Sequence, residues 1–202
     1  GARMNIGSTA PVVGIGKTGI KMAAEWDQTM AAMTAVTKKP RAEIDALGKG
    51  LLETSKKFTF GGNEMATTWL HVTEAGFSAR AAQIFAAEGA NYATAVFDGA
   101  ERTAAAYRDV TLSLASSMRV FYPEVVNAAN ATGNFQPLID RAKNSTATLT
   151  TVLNNSASRA DDFNEAFKML FPTARLVGMS FEETAIAIGM MADKGVLGSR
   201  AG

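Results

Sequence analysis

The sequence predicts an all-α protein, an irregular array of about seven to nine helices joined by short Gly/Ser turns, with no substantial sheet. The 202 residues include 37 alanines, which lose no side-chain entropy in a helix and let neighbouring helices approach closely. Apolar residues recur at steps of three and four along much of the chain, whereas alternating β-branched runs are hard to find. Glycine and serine separate several of the periodic segments, as expected at helix ends.

The beginning of the chain differs in composition from the rest. Residues 1–18 are rich in Gly, Ser, Pro and short apolar residues without a helical stripe, which predicts a flexible or extended lead-in. Residues 19–202 are predicted to form a helical module. Its first helix, about 19 to 37, carries an apolar stripe and is stopped by Pro40. A second helix, about 41 to 57, follows because the fixed φ of proline suits a first turn.

The middle of the chain alternates strong and weak helix signals. A third helix is predicted to stop near Gly76. The clearest long apolar stripe runs from Tyr107 to Phe121. The helix that carries it is predicted to begin at Asp98-Gly99-Ala100-Glu101, which has the form of an N-terminal capping arrangement. Residues 122–148 show no clear pattern, and residues 128–136 within them indicate a loop.

Two joints between helices share one local pattern of a glycine, an apolar residue and a serine. Glycine tolerates the left-handed backbone at a helix end, and the apolar residue can fold back onto the preceding turn. Serine then accepts a hydrogen bond from a free N–H group of the next helix. The predicted joints are Gly76-Phe77-Ser78 and Gly178-Met179-Ser180.

The last two helices carry three further structural signals. A stripe from Phe163 to Leu170 is followed by Pro172, which is predicted to kink or split its helix. The final helix begins with a capping box, in which Glu183 lies three residues after Ser180. Gly195 lies just beyond the end of that helix, where glycine is favoured.

The composition excludes several function classes. The chain has no cysteine and one histidine, so it cannot build a thiolate metal site, a disulfide framework or a multi-histidine centre. A formal net charge of +1 provides no field that would draw a polyanion, and no sequence-specific nucleic-acid binding is expected. No residues were found that we expect to act in catalysis or to bind a cofactor or metal. We therefore expect a protein that is not an enzyme.

Some motifs invite a functional interpretation that the surrounding residues do not support. Residues 14–19 fit G-x-G-x-x-G, but a phosphate-binding loop needs a glycine where Pro11 stands, so a linker is the better interpretation. His71 is placed on an amphipathic helix, which favours a packing or surface role over a general base. Asp161 and Asp162 lack calcium-loop spacing and are better explained by helix initiation.

Several segments carry a family resemblance. Residues 176–185, continuing through 192–195 and 198–202, closely resemble the core region of phage tail tape measure proteins. Upstream, the preceding helix of the family and its kinked end look like residues 154–156 and 163–168 with Pro172. The helix joint of the family is similar to residues 74–79, and its opening helix looks like residues 26–37. The resemblance extends over about residues 20 to 202.

The resemblance implies a structural role in a phage tail. Family members are long helical proteins that occupy the lumen of a growing tail, and their length sets the length of the tail. They are not enzymes in this region. The implied locations are the interior or tip of the tail in the virion and the host cytoplasm during assembly. The implied partners are other copies of the chain, tail tube and tail tip (distal tail or baseplate) proteins, tail assembly chaperones and, at ejection ahead of the DNA, the host envelope.

The residues leave another function open, a membrane-active or cell-wall-degrading helical module used during genome entry. The chain is also expected to be a fragment of a much longer protein, because it opens with Gly1 and stops at Gly202 inside a motif that family members continue. At about 1.5 Å per helical residue, even a fully helical chain of this length would reach only about 300 Å. We therefore expect a folded module, with the length ruler mostly elsewhere.

Overall fold

The structure, a computed structural model, describes residues 10–196. Within that range the chain forms nine α-helices and no strand, which confirms the predicted all-α class and the predicted number of helices. The helices are α1 (Ala10–Thr37), α2 (Arg41–Ser55), α3 (Gly62–Glu74), α4 (Ala79–Val96), α5 (Ala104–Phe121), α6 (Pro123–Thr132), α7 (Gln136–Asn154), α8 (Ala160–Leu176) and α9 (Phe181–Asp193).

Helix α4 lies at the centre of the array. It packs against α2, α3, α5 and α7 and also contacts α6. Small side chains dominate its buried surface, so the neighbouring helices approach closely. The buried small residues of α4 are Ala79, Ala81, Ala82, Ala86, Gly89, Ala90 and Ala93.

The other helices surround α4 in two groups. Helix α1 packs on α2 and α3, while α8 packs on α5 and α9, and α9 also packs on α7. Buried polar side chains connect the centre to both groups. The indole N–H of Trp69 in α3 donates to the carbonyl of Ala79 at 2.7 Å. The hydroxyl of Tyr92 in α4 donates to the side-chain oxygen of Asn164 in α8 at 3.0 Å.

The first helix begins earlier than the sequence predicts, at Ala10 rather than near residue 19. Residues 1–9 of the expected lead-in lie outside the described residues. Glycine weakens a helix by about 1 kcal/mol at each position but does not forbid it, and Pro11 occupies the first turn, where proline is tolerated. The G-x-G-x-x-G pattern at residues 14–19 therefore lies inside a helix and not in a loop that could surround a phosphate.

The loop predicted for residues 128–136 is wrong over most of its length. Helix α6 continues to Thr132, and α7 begins at Gln136. Val126 and Ala129 of α6 are buried, and burial of this face outweighs the weak helix propensity of the asparagines around them. Gly133, with a φ of +72°, makes the turn between the two helices.

The start of α5 also differs from the prediction. Asp98 does not cap it, because Gly99 adopts a φ of +49° and residues 99–101 form a separate 3₁₀ turn. Thr103 is the N-cap, and its hydroxyl accepts a hydrogen bond from the N–H of Ala106 at 3.0 Å. Glu101 instead forms an ion pair with Arg159, at 2.6 Å between Oε1 and Nη2.

Candidate functional site

The joint between α3 and α4 ends the first helix at a left-handed glycine. Gly76 has a φ of +90°, and its N–H donates to the carbonyl of Thr73 at 2.9 Å. The N–H of Phe77 donates to the carbonyl of Val72 at 3.4 Å. These two bonds form a Schellman motif, which satisfies carbonyls at the helix end. The Phe77 ring is buried, with the guanidinium of Arg119 3.8 Å from its centre.

Ser78 completes this joint as the N-cap of α4. Its hydroxyl oxygen accepts a hydrogen bond from the N–H of Ala81 at 3.3 Å. The same hydroxyl donates to the side-chain oxygen of Asn130 in α6 at 2.6 Å. The joint therefore connects three helices.

The joint between α8 and α9 repeats this backbone geometry. Gly178 has a φ of +86°, and its N–H donates to the carbonyl of Arg175 at 3.1 Å. The N–H of Met179 donates to the carbonyl of Ala174 at 2.9 Å. Gly195, with a φ of +79°, lies in a third turn of this kind at the end of α9.

Ser180 and Glu183 cap the start of α9 reciprocally. The serine hydroxyl accepts from the N–H of Glu183 at 3.1 Å, and the glutamate carboxylate accepts from the N–H of Ser180 at 2.8 Å. The bond from the backbone of Ser180 lowers the pKa of Glu183. The next residue, Phe181, is buried, and its ring packs edge-on against Phe121 and Phe167, with centroids 5.6 and 5.2 Å apart. The cap thus places an aromatic anchor in the core.

Pro172, which was predicted to kink or split its helix, does not split it. Helix α8 runs without interruption to Leu176, and Pro172 lies on its exposed side. Proline removes only one backbone bond of the helix, while Phe171 and Ala174 on either side are buried. Tertiary packing therefore holds the last turn in place.

A polar cluster contains Arg141 of α7, Glu182 of α9 and Tyr122, which lies between α5 and α6. The hydroxyl of Tyr122 donates to the carboxylate of Glu182 at 3.2 Å, and the guanidinium of Arg141 lies 4.4 Å from the centre of the tyrosine ring. Burial, followed by the charge of Glu182, raises the pKa of Tyr122 to about 12. A neutral phenol held in this way acts as a structural donor.

The residues considered for catalysis are not assembled into a reactive cluster. His71 is half-buried, and its Nδ1 lies 3.2 Å from the carboxylate of Glu74, one turn away. Asp161 and Asp162 lie in the first turn of α8. Among residues 10–196, no group of three or more His, Asp or Glu side chains is arranged to hold a metal.

Glu88 is the only carboxylate that is buried in the described part of the chain. It lies on α4 and accepts a hydrogen bond from the side-chain amide of Asn91 at 3.1 Å. Desolvation raises its pKa, while Asn91 and the charge of Lys143 in α7 oppose the rise. This burial cannot be predicted from the sequence, because it arises from the packing of α7 on α4.

A cavity of about 200 Å³ lies between α5 and α8, and we call it the α5–α8 groove. Each helix contributes one face of residues at steps of three and four. Phe97 closes the groove near the end of α4. The lining residues are Phe97, Ala106, Asp109, Val110, Ser113, Asp161, Asn164, Glu165 and Lys168.

Large apolar side chains are exposed at two places on the surface. One set lies on α1 and α2, and the other on α8, α9 and the turn between them, where Leu176 is 86% and Val177 71% exposed. Exposed groups of this kind are typical of surfaces that contact other proteins. Across residues 10–196, no helix has both the length and the apolar character needed to cross a lipid bilayer. The exposed apolar residues are Ile20, Met22, Val36, Leu52, Met169, Leu176, Val177, Ile186 and Met190.

These features define an all-α module of packed helices with apolar surface groups. The chain is similar to the tape measure protein of Pneumococcus phage Dp-1, to which it is 28% identical over 194 residues. The similarity covers 96% of this chain and 15% of the Dp-1 protein, so the chain spans a small part of the length of that curated relative. No protein-family model matches the chain, and no solved structure matches it. A phage tape measure protein is therefore a distant, partial relative of this chain.

Proposed function

We propose that the chain is a helical core module of a phage tail tape measure protein, which takes part in determining tail length and acts by packing and assembly without catalysis. The observation that supports this proposal is the similarity to the Dp-1 protein, because it extends over 96% of this chain and so includes the whole helical array. A match confined to one helix or one turn would carry much less weight.

The proposed mechanism is steric. A compact chain of 202 residues has a radius of gyration of about 17 Å, whereas the same residues in one helix would extend about 300 Å. Folded as described, the module therefore contributes little to the length of a tail. We propose that it docks in the lumen or at the tip of the tail, that other parts of a longer chain span the tube, and that the protein leaves ahead of the DNA at ejection.

The exposed apolar residues on α1 and α8–α9 are the proposed contacts for other copies of the chain and for tail tube and tip proteins. Each helix that carries them is held by buried contacts to the rest of the array. Such surfaces can bury apolar area on assembly without unfolding the module.

Cryo-electron microscopy of tails from the parent phage tests the location. We expect helical density that fits residues 19–196 inside the tube or at the tip, both in mature tails and in tails purified before head attachment. Density for these residues on the outside of the tail, or their absence from purified tails, would contradict the proposal.

Two assays with the purified chain test the absence of catalysis and of membrane activity. Incubation with peptidoglycan is expected to release no soluble fragments, and incubation with liposomes is expected to release no trapped dye. A known muramidase and a pore-forming peptide serve as positive controls. Release in either assay at the rate of its control would favour the genome-entry alternative over a purely structural role.

A further inference from the structure

One side of α8 carries large apolar side chains that the rest of the array leaves exposed. Met169, Pro172 and Leu176 recur at steps of three and four residues, so they lie on one side of the helix. Met169 is 49% and Leu176 is 86% exposed. The opposite side of α8, which includes Phe163 and Phe167, is buried. We call the exposed side, with the exposed charged residues around these three, the α8 outer face.

The charges of the α8 outer face are separated along the helix. Asp161 and Glu165 are exposed in its N-terminal half, whereas Lys168 and Arg175 are exposed at its middle and in its last turn. The helix dipole favours this order at the two ends, but its effect falls off within the first and last turns. It therefore explains Asp161 and Arg175 but does not account for Glu165 and Lys168.

These four charged side chains form no ion pair with any residue of the described range. Glu165 and Lys168 are three residues apart, a spacing at which opposite charges on a helix can meet. On α2, in contrast, every carboxylate is paired with a cation three or four residues away. The charges of the α8 outer face are therefore available to a partner.

The order of the charges makes this face complementary to itself when two copies are antiparallel. The acidic end of one α8 then lies beside the basic end of the other, whereas parallel helices would place like charges side by side. Met169 and Pro172 lie between Glu165 and Arg175, so the apolar side chains leave water in the same contact. Because both copies use the same patch, the contact has two-fold symmetry and closes on itself.

We propose that the α8 outer face docks on the same face of a second copy of the chain, with the two α8 helices antiparallel. Centred between Met169 and Pro172, this arrangement places Glu165 of each copy beside Arg175 of the other. A helix of 17 residues is about 25 Å long, so one pair of helices makes a small interface and a reversible dimer. Its purpose rests on the assembly role proposed above, but the pairing belongs to the isolated chain and can be measured without a tail.

The first experiment measures self-association of the purified chain by analytical ultracentrifugation over a wide range of concentrations. We expect a reversible equilibrium between monomer and dimer. Met169→Glu places a charge in the apolar part of the contact and is expected to weaken the dimer about tenfold. Met22→Glu on α1 is the matched control, because Met22 is 51% exposed, and it should leave the dimer unchanged. A chain that stays monomeric at its highest soluble concentration, or equal effects of the two substitutions, would overturn the proposal.

An exchange of charges then tests the orientation. Glu165→Arg and Arg175→Glu each place like charges across the contact twice, so each alone is expected to weaken the dimer about fivefold. Both substitutions in one chain restore opposite charges across an antiparallel contact and are expected to restore the dimer. Circular dichroism checks that every variant keeps its helix content. Single variants that dimerise like the unaltered chain, or a double variant that stays as weak as the single ones, would contradict the antiparallel pairing.

Discussion

Gly89 of α4 and Thr111 of α5 are in direct contact where the two helices cross. A Cβ atom at position 89 would lie 2.8 Å from the Cβ of Thr111 and even closer to its hydroxyl oxygen. Thr111 cannot easily turn away, because it is fully buried and its hydroxyl donates to the carbonyl of Tyr107 at 2.7 Å. The absence of a side chain at Gly89 is therefore what lets the central helix pack against α5.

Replacing this glycine is expected to destabilise the fold although alanine favours helices. We expect Gly89→Ala to lower the free energy of unfolding by about 1–3 kcal/mol, measured by urea denaturation, because overpacking exceeds the gain in helix propensity. Gly19→Ala is the matched control, since Gly19 is helical and its Cβ would meet no atom within 4 Å. Gly19→Ala is expected to be neutral or stabilising. Equal effects of the two substitutions would contradict the contact.

The capping box of α9 is expected to be visible in a pH titration. Ser180→Ala removes the capping bonds of the hydroxyl and should lower the free energy of unfolding by about 1 kcal/mol. It keeps the backbone N–H of residue 180, which is the larger cause of the lowered pKa, so the pKa of Glu183 should rise only part of the way towards its ordinary value of 4.5. Since the folded pKa of Glu183 is depressed, its contribution to stability is present at neutral pH and is lost as the pH falls through that folded value. Carboxyl-detected NMR measures the pKa. Ser158→Ala, which changes a half-buried serine that does not contact Glu183, should leave the pKa unchanged.

The left-handed turn at Gly178 is expected to depend on backbone conformation alone. A Cβ atom there would meet no atom within 4 Å, so packing is not disturbed. Gly178→Ala should nevertheless cost about 1–2 kcal/mol in thermal or urea unfolding, because the φ of +86° is strained for alanine. Gly178→Asn should cost less, since asparagine tolerates this region. Identical stabilities of the two variants would argue against the turn.

The three tyrosines of the chain are expected to resist ionisation while it is folded. Burial raises the pKa of Tyr92, Tyr107 and Tyr122 above 10.0, in the last case to about 12. The folded state then holds more protons than the unfolded state above pH 10.0, so stability should fall as the pH rises beyond that value. Absorbance at 295 nm should show little ionisation at pH 10 in the native chain and about half ionisation in urea, where the phenols have their ordinary pKa of 10.0. A native midpoint near 10 would show that the phenols are exposed.

Some of this fold is accessible to sequence reasoning because its signals are local. The residues that form the turns at Gly76, Gly178 and Gly195 are close together in the chain, so one short pattern contains all the groups involved. The same reasoning misplaced the start of α5, since Asp98 and Thr103 are both acceptable N-cap residues. The positive φ of Gly99 interrupts the helix after Asp98, so Thr103 is the N-cap.

Other elements gave weak or misleading signals. The central helix α4 carries small buried residues on several sides and therefore lacks the single apolar stripe of a surface helix. Residues 128–132 contain asparagine and threonine, which favour loops, yet burial of Ala129 against the array keeps them helical. In both cases tertiary packing outweighed local preference.

The amino-acid sequence by itself determined the helical class, the positions of the glycine and serine turns and the lack of cysteine chemistry, because these depend on residue types and on neighbours in the chain. Only the tertiary structure decided that Gly89 meets Thr111, that Glu88 is buried and that the Ser113 hydroxyl is buried without a hydrogen bond to a described residue. Each of those relationships depends on contacts between different helices, and it is the packing of whole helix faces that selects which side chains meet.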